Sequence, residues 1–204
     1  MGSAEVERAK RRFVEAGVPP GTAVAPHIVH SWGRCRSLVP SVADAGPLQR
    51  ERLVERRDAA AELLHCAMPE LDALAEHAVR QGCVAILSDA TGLILDEVGS
   101  VDFLSKAEQV ALLPGTDWSE SGRGTNAIGT ALQERDAVLV RGAEHFLWQN
   151  GALGCAAAPI LDAQGALAGA LDISGDPARI DDHALGLVRM AAAQVEHRML
   201  GRHP

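Results

Sequence analysis

The chain lacks the segments and motifs that identify membrane proteins, exported proteins and several enzyme classes. No apolar run approaches the ~20 residues that a membrane-spanning helix needs. Residues 1–17 carry Glu, Lys and Arg where a signal peptide has an apolar core, so the sequence predicts a cytoplasmic protein. The patterns G-x-S-x-G, H-E-x-x-H and the Walker loop are all missing. A membrane protein and enzymes that depend on those motifs are therefore not expected.

Cysteine spacing and net charge argue against two further kinds of site. The four cysteines have no C-x-x-C or C-x-x-x-H spacing, which predicts reduced thiols and neither a disulfide framework nor a structural zinc site. They are Cys35, Cys66, Cys83 and Cys155. The net charge of −8 comes from 27 acidic and 19 basic residues, so no broad surface for nucleic-acid phosphates is expected. The sequence predicts no metal and no cofactor.

What is present suits one globular domain with a helical region in front. The chain has 204 residues, of which 47% are hydrophobic, enough to bury a core. Apolar residues recur at helical spacing after Pro26, and this helix is expected to end before Pro40. Pro47 suits the first turn of a second helix, which Pro69 is expected to interrupt. A third helix is expected to end near Gly82.

From Cys83 onward the pattern changes to short strands and turns. Two pairs of apolar segments flank turn signatures at residues 89–92 and 162–165, which predicts two strand–turn–strand units. The predicted strands are Cys83–Ser88, Leu93–Val98, Ala137–Val140, Cys155–Leu161 and Ala166–Ser174. The predicted helices are Ser105–Leu113, Thr125–Leu132, Ala143–Trp148 and one that runs from Asp181 to about Leu200. Short antiparallel strands with helices around them indicate an α+β domain.

Several blocks in this half carry a family resemblance through their order and spacing. They are WSE within PGTDWSESGRGTNAIGTAL (Pro114–Leu132), GTNAIGTAL in the same stretch, EHF after Ala143, CAAAPI from Cys155 and LDISG before Asp176. This ordered set resembles the sensory GAF domain at the amino terminus of sigma-54-dependent transcriptional activators of the acetoin-catabolism regulator type. SWGRC at Ser31–Cys35 resembles the SW-x-RC helix that precedes that domain. Together the blocks cover most of the chain.

The resemblance implies a fold and a division of the chain. It implies a GAF-like α+β fold, with a central antiparallel sheet of about six strands flanked by helices. We expect residues 1–80 to form an amino-terminal helical extension, residues 81–200 a GAF-like sensor domain and residues 201–204 a tail. Relatives carry an AAA+ module and a helix-turn-helix module after the sensor. This sequence shows neither, so we expect no ATP hydrolysis, no nucleic-acid contact and no membrane contact by this segment.

The implied function is ligand sensing, with signalling through helices of a homodimer. We expect a small effector to bind and control a sigma-54-contacting module in the wider protein. An apolar stripe in the last helix predicts the dimer contact. The stripe consists of Leu185, Val188, Ala192, Val195 and Met199. Two alternatives stay open: a dimerisation scaffold without a ligand, and an enzyme like the GAF-type free methionine sulfoxide reductases. We predict that the chain is not an enzyme.

The family blocks supply the candidate ligand-binding residues. They are Trp118, Ser119, Glu120, Asn126, His145, Phe146, Trp148, Cys155 and Asp172. Few charged groups occur among them, which favours a small, mostly apolar or carbonyl-bearing ligand over a nucleotide. The glycine-rich segment in their midst is expected to be a flexible loop that closes over the ligand, with Thr125 or Asn126 capping the helix that follows.

Each candidate also has a structural interpretation. Trp118 either closes a pocket or fills the edge of the core, and Trp148 is expected to be a variable pocket wall. His145 either contacts ligand or ends a helix. Cys155, by period two, shares a face with Ala157, where small side chains leave room for a helix or for a ligand. Asp172 either braces the Asn126 loop or accepts a hydrogen bond from the ligand, and a metal site of His145, Cys155 and Asp172 is a further possibility.

Overall fold

The computed structural model describes residues 2–21, 24–38 and 46–202. Its helices are α1 Ser3–Ala16, α2 Pro26–Cys35, α3 Arg50–Ala59, α4 Ala61–Gln81, α5 Val101–Gln109, α6 Glu120–Arg123, α7 Ala127–Glu134 and α8 Asp182–Leu200. Its strands are β1 Val84–Asp89, β2 Ile94–Gly99, β3 Val138–Arg141, β4 Gly154–Leu161 and β5 Leu167–Gly175. Two 3-10 turns span Gly142–Glu144 and Trp148–Ala152. Pro40, where the sequence predicts the end of the first helix, lies outside the described residues.

The strands form one antiparallel sheet in the order β2-β1-β5-β4-β3. This confirms the α+β class and the two strand–turn–strand units. The described residues contribute five strands to the sheet, where the resemblance implied about six. Within that same part of the chain, no helix is both long enough and apolar enough to cross a membrane.

The two faces of the sheet carry separate cores. The face that we call the α4/α8 face includes Ala156 and Leu171 and is covered by α4 and α8. The opposite face, which we call the α7 face, includes Ile86 and Ala157. It is covered by α5, by α7 and by the segment between these helices, which includes Trp118. Because side chains alternate along a strand, neighbours on one strand enter different cores. The predicted alternation of Cys155 and Ala157 against Ala156 is confirmed.

The prediction that Pro69 interrupts a helix is wrong. Pro69 lies inside α4, which continues for 21 residues. A proline in a helix interior costs ~3 kcal/mol because it removes one hydrogen bond and crowds the preceding turn. Apolar residues before and after it, including Leu63 and Leu71, are buried in the same core. We infer that this packing on both sides offsets the cost, which a local pattern cannot reveal.

Two other helix predictions need correction. The helix predicted at Ser105–Leu113 is α5, which begins earlier, at Val101, and ends at Gln109. The segment Ala143–Trp148 is not a helix, because the 3-10 turn at Gly142–Glu144 ends before extended residues. Side chains from distant helices bind the carbonyl groups of this segment, as described below. Those tertiary hydrogen bonds replace the ones that a helix would supply.

The last helix begins where the sequence predicts but buries the stripe assigned to a dimer. Asp181 caps α8 by accepting hydrogen bonds from the backbone N–H groups of His183 and Ala184, at 2.9 and 3.2 Å. Val188 and Val195 are fully buried in the core under the sheet and α4. The stripe is therefore needed within one chain, and it does not predict a contact between two copies.

Candidate functional site

A buried carboxyl group lies on the α7 face of the central strand β5. Asp172 is 1% exposed, and Ser174 Oγ donates a hydrogen bond to Asp172 Oδ2 at 2.5 Å. The other carboxyl oxygen, Oδ1, has no partner among the described residues. Burial raises the pKa of Asp172 from its ordinary 3.8 to about 7. The predicted brace between Asp172 and the Asn126 loop is therefore not among the hydrogen bonds of the described residues.

His145 and Cys155 form a buried pair beside this carboxyl group. His145 Nε2 lies 3.5 Å from Cys155 Sγ, and His145 Nδ1 lies 3.1 Å from the carbonyl oxygen of Gly142. A carbonyl only accepts, so Nδ1 carries the proton and Nε2 accepts from the thiol. Burial lowers the pKa of His145 to about 4 and raises that of Cys155, so both groups are neutral near pH 7.

This neutral pair does not favour metal or thiolate chemistry. Cysteine binds a metal as the thiolate and histidine as the neutral imidazole, and burial opposes the thiolate here. Among the residues that the structure describes, no group of three His, Cys, Asp or Glu side chains could hold an ion. The described cysteines are all free and buried.

The segment from Trp118 to Asn126 is packed against the α7 face. Trp118 is 1% exposed, and its Nε1 donates to the Ala111 carbonyl at 2.8 Å. Ser119 Oγ caps α6 by accepting from the Gly122 N–H at 3.1 Å. Asn126 Oδ1 caps α7 by accepting from the Gly129 N–H at 2.9 Å, so Asn126 is the predicted cap and Thr125 is not.

Glycines in this segment are required by close contacts as well as by conformation. Gly124 has φ +67°, and an added Cβ would lie 2.5 Å from the Cβ of Phe146. An added Cβ at Gly122 would lie 2.7 Å from a carboxyl oxygen of Asp117. Phe146 is half-buried against this turn. The glycines therefore let neighbouring elements approach closely, a role other than the loop flexibility predicted from sequence.

The structure separates Trp148 from the other candidates. Its side chain is 84% exposed, so it does not form the pocket wall predicted for it. Trp148 begins a 3-10 turn after Leu147, and it is Leu147 that is buried. Ser119 and Glu120 border a surface cleft of about 440 Å³ beside α2, which includes Arg34 and Gln133.

Helix α2 is bonded directly to this segment, a connection that sequence reasoning missed. Arg34 donates to both carboxylate oxygens of Glu120, at 2.6 and 2.9 Å. Ser31 Oγ donates to Thr125 Oγ1 at 2.7 Å. Thr130 Oγ1 lies 2.9 Å from Glu120 Oε1 and 3.1 Å from Ser31 Oγ. The SW-x-RC block itself was the available signal, because its polar residues are the ones that make these bonds.

Helices α1 and α2 also hold the carbonyl groups of the EHF block. Trp32 Nε1 donates to the Glu144 carbonyl at 2.8 Å. Lys10, only 6% exposed, donates through Nζ to the His145 carbonyl at 2.8 Å. A buried ammonium group requires such acceptors. Trp32 is fully buried, so it combines core packing with a hydrogen bond that fixes the segment carrying His145.

Two further polar side chains without partners lie on the α7 face. Ser88 Oγ and Glu97 Oε2 are buried and have no hydrogen-bond partner among the described residues. Burial, then the charge of Glu108, raises the pKa of Glu97 to about 7. Ser88 follows the apolar residues Val84–Leu87 in β1, and Glu97 follows Asp96 in β2, so polar residues within the strands were the signal that could have identified them.

The chain matches known proteins along nearly its whole length. Residues 2–197 match the family described as MimR, N-terminal domain. The chain is 32% identical over 201 residues to the propane 2-monooxygenase operon transcriptional activator MimR of Mycolicibacterium goodii, covering 97% of this chain and 33% of that protein. It is 32% identical to the acetoin dehydrogenase operon transcriptional activator AcoR of Bacillus subtilis, covering 94% and 32%. It is 35% identical to the acetoin catabolism regulatory protein of Cupriavidus necator, covering 92% and 31%.

These matches confirm the resemblance stated from the sequence blocks. The chain spans about a third of the length of these relatives. Among solved structures, the E. coli DhaR(N)–DhaL complex contains a chain that superposes with a TM-score of 0.81 at 23% identity, covering 87% of this chain and 61% of that one. This likeness confirms the fold.

Proposed function

Because the chain belongs to the family of MimR amino-terminal domains, we propose that it is the ligand-sensing regulatory domain of a bacterial sigma-54-type transcriptional activator. Its relatives include the transcriptional activators of a propane 2-monooxygenase operon and of an acetoin dehydrogenase operon, and an acetoin catabolism regulatory protein. A regulator of transcription acts in the cytoplasm, so that is the proposed location. We retain residues 81–200 as the proposed sensor and residues 1–80 as its helical extension.

We propose that the effector binds on the α7 face, where Asp172 contacts it. The observation that carries this proposal is the unpaired oxygen Oδ1 of Asp172, buried at the centre of the sheet. A buried polar atom without a partner costs about 1–3 kcal/mol, and a ligand that supplies the partner recovers that cost. Trp118, His145 and Cys155 are buried around the same core and form the proposed walls.

The proposed effector is small and uncharged. The His145–Cys155 pair is neutral, the nearby residues are apolar, and the adjacent ammonium group of Lys10 is bonded to the His145 carbonyl. A mostly apolar or carbonyl-bearing molecule fits such a site. Binding would act through Glu120 and Thr125, because both are hydrogen-bonded to α2. The proposed signal thus reaches the helical extension through side chains that already touch it.

We propose a homodimer through the outward side of α8. Exposed residues recur there at the spacing of a coiled-coil seam, and two of them, Met190 and Leu200, are apolar and 70% and 53% exposed. The seam consists of Gly186, Met190, Ala193, His197 and Leu200. These positions replace the buried stripe as the proposed contact between copies.

The dimerisation scaffold stays the second candidate, and one observation favours it. Trp118 and Gly124 are packed closely against their neighbours, as expected of a domain whose core is closed. The sulfoxide reductase alternative is disfavoured because it needs a reactive thiolate. Cys83 and Cys155 are buried, and burial raises the pKa of both thiols.

A thermal-shift screen of small uncharged metabolites separates the sensor from the scaffold. A ligand of the folded state stabilises it by about 2.7 kcal/mol at a hundredfold excess over Kd. We expect at least one compound to raise the Tm of the wild type and to lose that effect in Asp172→Leu. Trp148→Ala is the matched control, since this exposed residue should not alter the response. A response that is equal in wild type and Asp172→Leu would contradict the proposed site.

A further inference from the structure

Two histidine rings meet where the end of α4 lies beside the start of α8. The ring centroids of His77 and His183 are 6.1 Å apart, and the ring planes are tilted by 58°. His77 is half-buried near the end of α4, and His183 is exposed in the first turn of α8. The hydrogen bonds and ion pairs of the described residues include neither ring. Both rings therefore have nitrogen atoms that are not bonded to other protein groups.

Helix packing holds the two rings together, although they are more than a hundred residues apart in the sequence. The helices α4 and α8 run antiparallel, since Arg198 near the end of α8 donates to Glu70 and to the carbonyl oxygen of Cys66, both in the first half of α4. Leu74 and Val188, from the same two helices, are buried in one core. The rings are thus carried by two helices that are fixed to each other, which is what a site shared between two elements requires.

The distance between the rings suits a metal ion bound by both of them. A transition-metal ion lies about 2.0–2.1 Å from a ligating histidine nitrogen, which places it about 3.2 Å from the centre of the ring. Two rings on one ion therefore have centroids about 5.2 Å apart at a tetrahedral angle and about 6.4 Å apart when they lie on opposite sides. The 6.1 Å between His77 and His183 falls within this range. Because His183 is exposed, its side chain can rotate toward a tetrahedral arrangement.

The charges beside the rings restrict the kind of ion. The backbone carbonyl groups at the end of α4 carry partial negative charge, and Asp182 adds a carboxylate in the first turn of α8. Arg80, one turn after His77, and the N-terminal end of α8 oppose a cation. An ion that depends on charge alone gains little here, so the two imidazole nitrogens must supply the affinity. Ni²⁺, Cu²⁺ and Zn²⁺ bind imidazole well, whereas Mg²⁺ and Ca²⁺ prefer oxygen ligands.

We propose that His77 and His183 form a binding site for a divalent metal ion that prefers nitrogen ligands, and that this ion connects α4 to α8. Water fills the remaining coordination positions, because no group of three His, Cys, Asp or Glu side chains in the described part of the chain could hold an ion. With two protein ligands, the site is weaker than a structural zinc site, which has four. An ion that binds only the folded arrangement stabilises it. The site is distinct from the proposed effector site, which lies on the α7 face.

Isothermal titration calorimetry and thermal unfolding test the site on the whole chain, free of any affinity tag, at pH 7. The probes are NiCl₂, ZnCl₂ and MgCl₂. We expect one Ni²⁺ or Zn²⁺ ion per chain and a higher Tm in the presence of either, because both ligands belong to one chain. MgCl₂ should leave the Tm unchanged. Equal effects of MgCl₂ and NiCl₂ would mean a general response to salt, and half an ion per chain would mean a site between two copies. Either result overturns the proposal.

Single replacements of the two rings identify the ligands. His77→Ala and His183→Ala should each weaken Ni²⁺ binding at least roughly tenfold and remove the Tm increase, since even the loss of a group that only supports a metal ligand costs about ten- to a hundredfold. His65→Ala and His197→Ala are the matched controls, because these histidines are exposed on the same two helices and are not part of the pair. His77→Gln keeps a polar side chain at the half-buried position and replaces His77→Ala if the Tm without metal shows a folding defect.

The outcomes are independent of the proposed function. Ni²⁺ binding that is unchanged in His77→Ala and in His183→Ala is adventitious, and it overturns the site. An equal loss of binding in His65→Ala or His197→Ala also overturns it, because the ion is then held by histidines outside the pair. The metabolite screen gives the separate result for the sensor. A metabolite response that persists in His77→Ala and His183→Ala leaves the sensor intact, and the absence of any metabolite response contradicts the sensor without affecting the metal site.

Discussion

The guanidinium group of Arg34 and the carboxylate of Glu120 form a bidentate ion pair, with N–O distances of 2.6 and 2.9 Å. Arg34 belongs to α2 in the helical extension and Glu120 begins α6, beside the proposed effector site. Glu120 is 6% exposed, so this pair is shielded from water on the carboxylate side. Because Arg34 donates hydrogen bonds to the carboxylate of Glu120, the pKa of Arg34 lies above its ordinary value. The extension and the proposed sensor are joined by a bond that is directional as well as electrostatic.

Replacing Arg34 by Lys should lower the free energy of unfolding by about 1.5–3 kcal/mol, the range for a hydrogen bond to a charged group. An ammonium group cannot reproduce the two parallel bonds of the guanidinium group. Arg36→Lys is the matched control and should change stability by less than about 0.5 kcal/mol, because Arg36 contacts the Val14 carbonyl at an exposed position. Urea denaturation measures both. Equal effects of the two replacements would mean that the ion pairs of Arg34 with Glu120 and Glu134 contribute nothing specific.

Gly124→Ala should destabilise the domain by more than about 2 kcal/mol. The backbone of Gly124, at φ +67° and ψ −161°, is accessible almost only to glycine, and the new Cβ would lie 2.5 Å from Phe146 Cβ. Gly151→Ala is the control, because its added Cβ meets no atom within 4 Å. Thermal unfolding of the two variants compares them directly. A Gly124→Ala protein as stable as Gly151→Ala would show that this turn adapts freely and is a flexible loop.

The free energy of unfolding of the wild type, relative to that of Asp172→Asn, should decrease as the pH rises from about 4 to about 7. Burial raises the pKa of Asp172 to about 7, so in this window the folded protein holds a proton that the unfolded chain has released. Stability from this group is therefore complete at low pH and is lost as the pH rises through 7, by up to ~1.4 kcal/mol per pH unit. Urea denaturation at several pH values measures the difference. His145 and Glu97 titrate in both proteins and cancel. A difference that is independent of pH would contradict the raised pKa.

A charged residue should have different effects on the buried side and on the exposed side of α8. Val195→Glu places a carboxylate in the core and should unfold the domain, since Val195 is fully buried. Met190→Glu should leave the Tm nearly unchanged and convert a dimer to a monomer in light scattering. Gln194→Glu, at an exposed position of the same helix, controls for a general effect of added charge. A wild type that is monomeric at micromolar concentration would contradict the proposed seam.

Much of the fold could be predicted from local sequence because it depends on local chemistry. Period-two apolar segments gave the strands to within a residue or two, and Asp181 indicated the start of α8. The errors arose where distant residues decide the outcome. Pro69 remains helical because buried residues on both sides of it pack in the core. The segment after Ala143 is extended because Trp32 and Lys10, more than a hundred residues away, bind its carbonyl groups.

The candidate site was predictable only in part for the same reason. Alternation correctly put Cys155 and Ala157 on one face of the sheet, and the neighbour of Cys155, His145, was suggested by the EHF block. Trp148 was included by proximity in sequence, yet it is exposed to solvent. Ser88 and Glu97 were missed because their meaning depends on the register of three strands with Ile86 between them. No spacing within one strand contains that information.

Methyl NMR during titration with the compound from the metabolite screen tests the central claim most directly. Ile86 and Ile128 lie in the core of the α7 face, while Ile160 and Ile173 lie in the core of the α4/α8 face. The strands β1 and β5 contribute to both faces, so a general loosening of the sheet would move all four signals. Binding on the α7 face predicts shifts of the Ile86 and Ile128 methyl signals with little change at Ile160 and Ile173. Larger shifts at Ile160 and Ile173 than at Ile86 and Ile128 would contradict the proposed sensor site.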